Sequence, residues 1–229
     1  VWKFVRHNDF THQFRNFLWK GMHCALRTGQ YWAHIPGYED RVDCNHCGEE
    51  DSLPHILVDC KHTGQALIWS LASDLWSMRT GAPLPKPTFG GMLGCGLAMI
   101  EAESKKKPSG LNRLYRLLIS ESSYLIWKLR NESVISNDGA EPSTSEVRNR
   151  WIYTMNDRLE TDIFLANPMT LKDRAHIAPA LVLQTWHKTL LEGDKLPQNW
   201  LREPRVLVGI LANSSDASIP VSSRINRHS

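Results

Sequence analysis

The sequence has few features of membrane-spanning, secreted or strongly charged proteins. Its longest nearly apolar run, FGGMLGCGLAMI at 89–100, is too short and too rich in glycine to cross a bilayer. The first residues, VWKFVRHNDF, lack the apolar core that a signal peptide needs. With 27 Lys and Arg against 24 Asp and Glu, the net charge of +3 does not by itself indicate nucleic-acid binding. We therefore expect an intracellular protein, nuclear or cytoplasmic, that is neither secreted nor bound to a membrane.

Cysteine is also scarce. The chain has five, an odd number, and Cys24 and Cys95 have no close partner in the sequence. A secreted disulfide scaffold is normally smaller and denser in cysteine. A reducing compartment therefore suits this composition better, and the three cysteines that do cluster need another explanation.

Helical spacing dominates the apolar pattern, without sustained strand alternation or an internal repeat. Apolar residues three and four apart predict helices over 10–26, ended by Gly29, and over 64–79 and 111–136. A capping box predicts a fourth helix from Ser143 to about Leu165, and a weaker cap at Thr170 predicts a fifth to about Leu191, kinked at Pro179. The prolines and glycines of 80–91 predict an irregular segment, and RVLVGIL at 205–211 is the one plausible strand.

The predicted fold class is therefore all-α, a helical bundle with a small structural zinc-binding loop inserted after the first helix. Six residues on the apolar faces are expected to be buried between helices: Phe14, Leu18, Trp69, Leu118, Leu125 and Trp151. We divide the chain into a zinc-binding helical module at 1–80, a Pro/Gly/Lys-rich connector at 81–110, a helical region at 111–211 and a disordered tail at 212–229.

The zinc prediction rests on the segment CNHCGEEDSLPHILVDC at 44–60. Cys44, Cys47, His55 and Cys60 provide a tight pair of ligands and a second pair across a short loop, as tetrahedral zinc requires. Four protein ligands leave no open position for water, so one structural Zn²⁺ is expected. His55 and Cys60 lie five residues apart, so both reach the metal only if a helical turn between them ends or loosens near Asp59.

Two other interpretations of this segment stay open. The residues are either free thiols beside an accidental histidine, or Cys44 and Cys47 form a redox pair. A redox pair is typical of a strand-to-helix context, and it gives no role to His55 or Cys60.

The stretch FLWKGMHCALRTGQYWAHIPGYEDRVDCNHCGEEDSLPHILVDC at 17–60 resembles the zinc-binding module downstream of the polymerase in reverse transcriptases of non-LTR retrotransposons. That module has an F-x-W helix, a glycine-containing connector, C-x2-C, an acidic stretch and H-x4-C. YLIWKLRNE at 124–132 resembles the W-K-x-R-N segment that often follows it. The resemblance covers 10–62 well and 111–135 loosely.

This resemblance implies zinc ligation and association with the upstream polymerase domain of a retroelement polyprotein. Because the chain begins with Val1 rather than Met, we expect a fragment of a longer protein or the product of a truncated reading frame. No catalysis is implied, because the chain has no Asp-Asp dipeptide of the polymerase kind and its helical pattern leaves no room for a ribonuclease H fold.

The first functional hypothesis is therefore a non-catalytic accessory module that helps a reverse transcriptase hold RNA or DNA. Basic residues concentrate at 1–34 and 105–130, where they either neutralise phosphates or are simply solvated. The candidate nucleic-acid contacts are Lys20, Arg27, Lys105, Lys106, Lys107 and Arg113.

The alternative is a structural or protein-interaction module, or a decayed retroelement remnant without activity. An enzyme is the least favoured hypothesis, since the His-x-Glu and Pro-Cys-x-x-Cys motifs of zinc deaminases are both missing. No small-molecule substrate is expected.

Overall fold

A computed structural model describes residues 4–60, 63–100, 109–136, 141–167 and 177–210. Within these ranges the chain forms helices joined by short 3₁₀ and π-helical turns, with isolated bridges in place of β-strands. The α-helices are α1 His12–Met22, α2 Thr63–Thr80, α3 Phe89–Leu93, α4 Ser109–Ser136, α5 Thr144–Ala166 and α6 Pro179–Trp186. The predicted all-α fold class is thereby confirmed, and none of the helices in the described ranges is long and apolar enough to span a membrane.

The first helix is shorter than the apolar spacing predicts. Thr11 caps its start by accepting a hydrogen bond from the backbone N–H of Phe14 at 3.2 Å. The helix ends at Met22 rather than near Gly29, because the chain turns away through Cys24, whose φ is 49°. That left-handed conformation does not fit the helical ladder, so Ala25 and Leu26 beyond it lie in the loop that follows α1.

The later helix boundaries follow the sequence signals more closely. Ser143 accepts from the N–H of Glu146 at 3.1 Å, as the predicted capping box requires. Pro179 begins α6 rather than kinking a longer helix, because its fixed φ and missing N–H suit a first turn. The predicted cap at Thr170 and Asp173 lies outside the described residues.

Two segments differ from their predictions. The short α3 begins inside the segment 80–91 that was predicted to be irregular, where Thr88 caps it by accepting from the N–H of Gly91. Over its described residues, 205–210, the predicted strand 205–211 makes a single bridge, between Val208 and Leu190, because its partner is a short turn after α6 rather than another strand.

α4 packs against α2 and α6, while α5 packs on α2, and all of them contribute to one hydrophobic core. Five of the six predicted core residues are buried, Phe14, Leu18, Leu118, Leu125 and Trp151. Trp69 is only partly buried, and its indole N–H donates to the carbonyl of Leu57 at 2.9 Å. Residues on both sides of the predicted connector share this core. The proposed division into modules stays a prediction. The predicted tail at 212–229 lies outside the described residues.

A buried charge network ties the N-terminal segment to α4 and α5. Arg113 donates from Nε to Asp9 at 2.9 Å and from Nη2 to Asp162 at 2.7 Å. Arg116 adds a second bond to Asp9 at 2.7 Å. Burial alone would raise the pKa of Asp9, but the two guanidinium groups outweigh it and hold that pKa below its ordinary value.

The prediction that Arg113 contacts nucleic acid is therefore wrong. Its side chain is 1% exposed, and its donors are already occupied by two carboxylates from distant parts of the sequence. A buried guanidinium that satisfies buried carboxylates has a structural role.

Replacing Trp151 with alanine is expected to lower the free energy of unfolding by about 3–5 kcal/mol, since the ring is fully buried and its N–H donates to Ser122 at 3.0 Å. Tyr153→Ala, on the same helix but 72% exposed, is the matched control and should leave the unfolding midpoint almost unchanged. Urea denaturation followed by circular dichroism measures both. Equal midpoints for the two variants would show that α5 does not pack as described.

Candidate metal centre

Residues 23–60, between α1 and α2, form a loop of short turns that brings the Cys/His segment back toward the helices. A 3₁₀ turn at Gly29–His34 carries Trp32, which is buried, and a second turn at Glu39–Arg41 leads to the first cysteine. Gly29 has a φ of +47°, and a Cβ there would lie 3.0 Å from Glu50 Oε1. Glycine at position 29 therefore lets the first 3₁₀ turn lie directly against Glu50, in the acidic stretch after Cys47.

Cys44 and Cys47 lie on a tight turn closed by backbone hydrogen bonds. The N–H of Cys44 donates to the carbonyl of Glu49 at 2.7 Å, and the N–H of Gly48 donates to that of Cys44 at 2.8 Å. Gly48 has a φ of +72°, which residues with a Cβ rarely adopt. The turn therefore presents both thiols on the same side.

His55 and Cys60 are brought together by a π-helical turn at His55–Asp59. The N–H of Cys60 donates to the carbonyl of His55 at 2.8 Å, a bond that spans five residues instead of the four of an α-helix. The wider turn places both side chains on one side, as the predicted loosening near Asp59 requires. Gln65 and Trp69 of α2 donate to carbonyls of this turn, and so satisfy groups that a regular helix would bond internally.

The four predicted ligands converge. Their ligand atoms all lie within 4.8 Å of one another. Cys44 Sγ is 3.8 Å from Cys60 Sγ, and Cys47 Sγ is 3.2 Å from His55 Nε2. A disulfide would bring two sulfurs to about 2.05 Å, so the cysteines here are free thiols grouped around a common centre. The cluster could hold one metal ion.

α4 contacts this cluster through Arg130, which forms an ion pair with Asp51. Both side chains are largely shielded from water, at 11% and 6% exposed. Burial lowers the pKa of Arg130 to about 10, and the nearby Cys44 acts in the opposite direction. Arg130 is the arginine of the W-K-x-R-N segment, but its pairing with Asp51 could not be predicted from the sequence.

The candidate nucleic-acid residues are distributed differently from the prediction. Lys20 on α1 and Arg27 in the loop are exposed and line the same groove. Arg41, which was not predicted, joins them there. Lys105, Lys106 and Lys107 lie outside the described residues, and Arg113 is buried.

No protein family, curated protein or solved structure matches the chain. The resemblance to the reverse transcriptase zinc module stays a prediction.

Replacing Gly48 with alanine is expected to weaken metal binding about five- to thirtyfold, since a left-handed residue with a Cβ costs about 1–2 kcal/mol. Gly37 provides a matched control, because its φ is +83° and a Cβ would also meet nothing within 4 Å, as at Gly48. Competition with a metal-binding dye measures the affinity of both variants. If Gly37→Ala weakens binding as much as Gly48→Ala, the turn that carries the cysteines has no special part in presenting them.

Proposed function

We propose that this chain is a non-catalytic accessory module of a non-LTR retrotransposon-type reverse transcriptase, held together by one zinc ion and binding RNA or DNA. The observation that carries the proposal is the closed Cys₃His cluster beside a groove that bears the exposed Arg27 and the half-buried Arg41. The metal supplies rigidity, and the surface supplies contacts to nucleic acid. On this proposal the chain works inside the cell, next to an upstream polymerase domain.

The geometry of the cluster supports zinc. Zn–S bonds of about 2.3 Å in a tetrahedron place two sulfurs about 3.8 Å apart. The distance between Cys44 Sγ and Cys60 Sγ is 3.8 Å. Three thiolates and an imidazole are ligands that zinc prefers, and hard cations such as Mg²⁺ prefer oxygen.

The same geometry supports a structural role for the metal. Four protein ligands complete a tetrahedral shell, whereas catalytic zinc sites keep one position for water or substrate. His55 and Cys60 are buried and bound into the π-helical turn, which leaves them little freedom to move aside. The residues around the ion therefore fix the loop, and chemistry on a substrate is not part of this proposal.

A protein-interaction module is the second candidate, favoured by the outer face of α5. Tyr153 and Phe164 are 72% and 51% exposed. They are three helical turns apart and therefore lie on nearly the same side of the helix. Two exposed aromatic residues on one face can contribute to a protein contact, and the upstream polymerase domain is the partner that we would expect there.

The first test concerns the metal. Freshly purified protein should contain one Zn²⁺ per chain, and Cys44→Ser or Cys60→Ser should lose it together with cooperative unfolding. Comparable structural sites contribute on the order of 10 kcal/mol, because such sites seldom exist before folding. Cys95→Ser, at a buried thiol that does not belong to the cluster, is the control and should retain the metal. Substoichiometric zinc with freely titratable thiols at Cys44 and Cys47 would contradict the proposal.

The second test concerns nucleic acid. The zinc-loaded chain should bind a short labelled RNA or DNA, with log affinity that falls linearly with log salt concentration. Replacing Lys105, Lys106 and Lys107 with serine should weaken binding to all sequences alike, because lysines on phosphates do not read bases. Fluorescence anisotropy from low to physiological salt measures this. No salt-dependent binding would leave the protein-interaction module as the better proposal.

A further inference from the structure

A groove of about 710 Å³ lies between α1, the loop residues 25–41 and α4. We call it the aromatic groove. On the loop side it is lined by Arg27, Tyr31, Trp32, Tyr38 and Arg41, and α1 adds Lys20. The α4 side contributes Tyr124 and Trp127, so aromatic rings border the groove from two sides.

The charge of this groove has one sign. Lys20, Arg27 and Arg41 all line it, whereas Asp and Glu are missing from its lining. In the part of the chain that the structure describes, no carboxylate lies within 4.0 Å of these three cations. Three cations that are unpaired within the described ranges and line one concave surface attract an anion. Arg113 and Arg130 differ from them because each is already paired with a carboxylate.

The rings of the loop are held in place yet still partly exposed. Trp32 stacks on Tyr38 with ring centroids 5.5 Å apart, and its indole N–H donates to the carbonyl of Arg27 at 3.2 Å. The guanidinium of Arg41 lies 4.8 Å from the centre of the Tyr38 ring. Tyr31 and Tyr38 remain 44% and 42% exposed. A ligand that stacks on these rings would find them already ordered.

We propose that the aromatic groove binds a single strand of RNA or DNA, with its bases stacked on Tyr31 and Tyr38 and its phosphates paired with Lys20, Arg27 and Arg41. This inference rests on the proposed function and assigns that function a location. Alternating aromatic and cationic side chains are the usual means of binding single strands without sequence specificity.

The combination of rings and cations distinguishes this occupant from others. A duplex keeps its bases stacked inside, so it would use the cations and leave the rings without partners. An acidic peptide would also pair with the cations, but it has no series of flat groups to stack on exposed tyrosines. The side-chain amides of Gln13, Asn16 and Asn131 also line the groove and can hydrogen-bond to unpaired base edges.

The groove is physically joined to the metal centre. Arg41 lines the aromatic groove and also the small cavity of about 130 Å³ beside Cys44 and Cys60. It lies three residues before Cys44, so the turn that carries the first cysteine pair helps to fix the backbone from which its side chain extends. Removal of the metal is therefore expected to weaken binding of a single strand.

The test compares two double variants of the zinc-loaded chain that lose the same charge. Lys20→Gln with Arg27→Gln removes two cations from the groove, and Lys86→Gln with Arg202→Gln removes two exposed cations elsewhere. The groove variant should bind a single-stranded probe about tenfold more weakly at physiological salt. Its slope of log affinity against log salt should fall by about 1.4, the value for two lost phosphate contacts in a single strand. The control should keep the parent's affinity and slope.

A second comparison tests stacking. Tyr31→Leu should weaken binding about fivefold or more and leave the salt slope unchanged, because an apolar side chain without a π-face cannot stack. Tyr153→Leu is the control on α5, and circular dichroism verifies that all variants are folded. The probes are oligouridine, oligothymidine, a duplex of equal length and polyglutamate, all read by fluorescence anisotropy.

The outcomes separate the location from the function. Loss of single-strand binding in the groove variants alone supports the proposal, and the two oligonucleotides show whether RNA or DNA binds better. Equal binding by groove and control variants would overturn the groove while the proposed nucleic-acid function stands. Stronger binding of duplex or of polyglutamate than of single strands would also overturn it. If the parent chain binds no probe at any salt concentration, the proposed function fails, and the groove proposal fails with it.

Discussion

The conformation of residues 23–60 depends on one constraint, that four ligand atoms from two separate turns meet around a single point. The left-handed φ at Gly48 and the five-residue bond of the π-helical turn both follow from it, since each aims a pair of ligands inward. Glycine reaches the left-handed φ without strain, whereas a π-helical turn is rare and needs support from its surroundings. The convergence of the four side chains therefore determines the conformation of the loop. The loop in turn positions Arg41 and the aromatic rings beside it.

The sequence predicted the helices and the convergence of Cys44, Cys47, His55 and Cys60 well, because both depend on local spacing. Ser143 and Glu146 are three residues apart, and the cysteine and histidine ligands lie within one short segment. The requirement that the chain loosen near Asp59 could be foreseen, since an α-helix cannot place residues five apart on the same side. The end of α1 could not be foreseen, because the left-handed conformation of Cys24 has no signature in residue type.

The cations show where local reasoning fails. Arg113 and Arg27 carry the same charge, yet one is buried between Asp9 and Asp162 and the other is exposed on the groove. The partners of Arg113 lie 104 and 49 residues away in the sequence. Pairing over such distances is decided by how the helices pack, so a count of basic residues along the chain cannot separate a structural arginine from a binding one.

The buried position of Arg113 has a consequence for the order in which the chain can fold. Asp9 and Arg113 leave the ribosome well before Asp162, and Trp186, which donates to the same carboxylate at 2.8 Å, follows later still. An N-terminal portion that folded early would enclose a guanidinium with only half of its carboxylate partners. We therefore expect the first helices to become fixed together with α5 rather than one at a time.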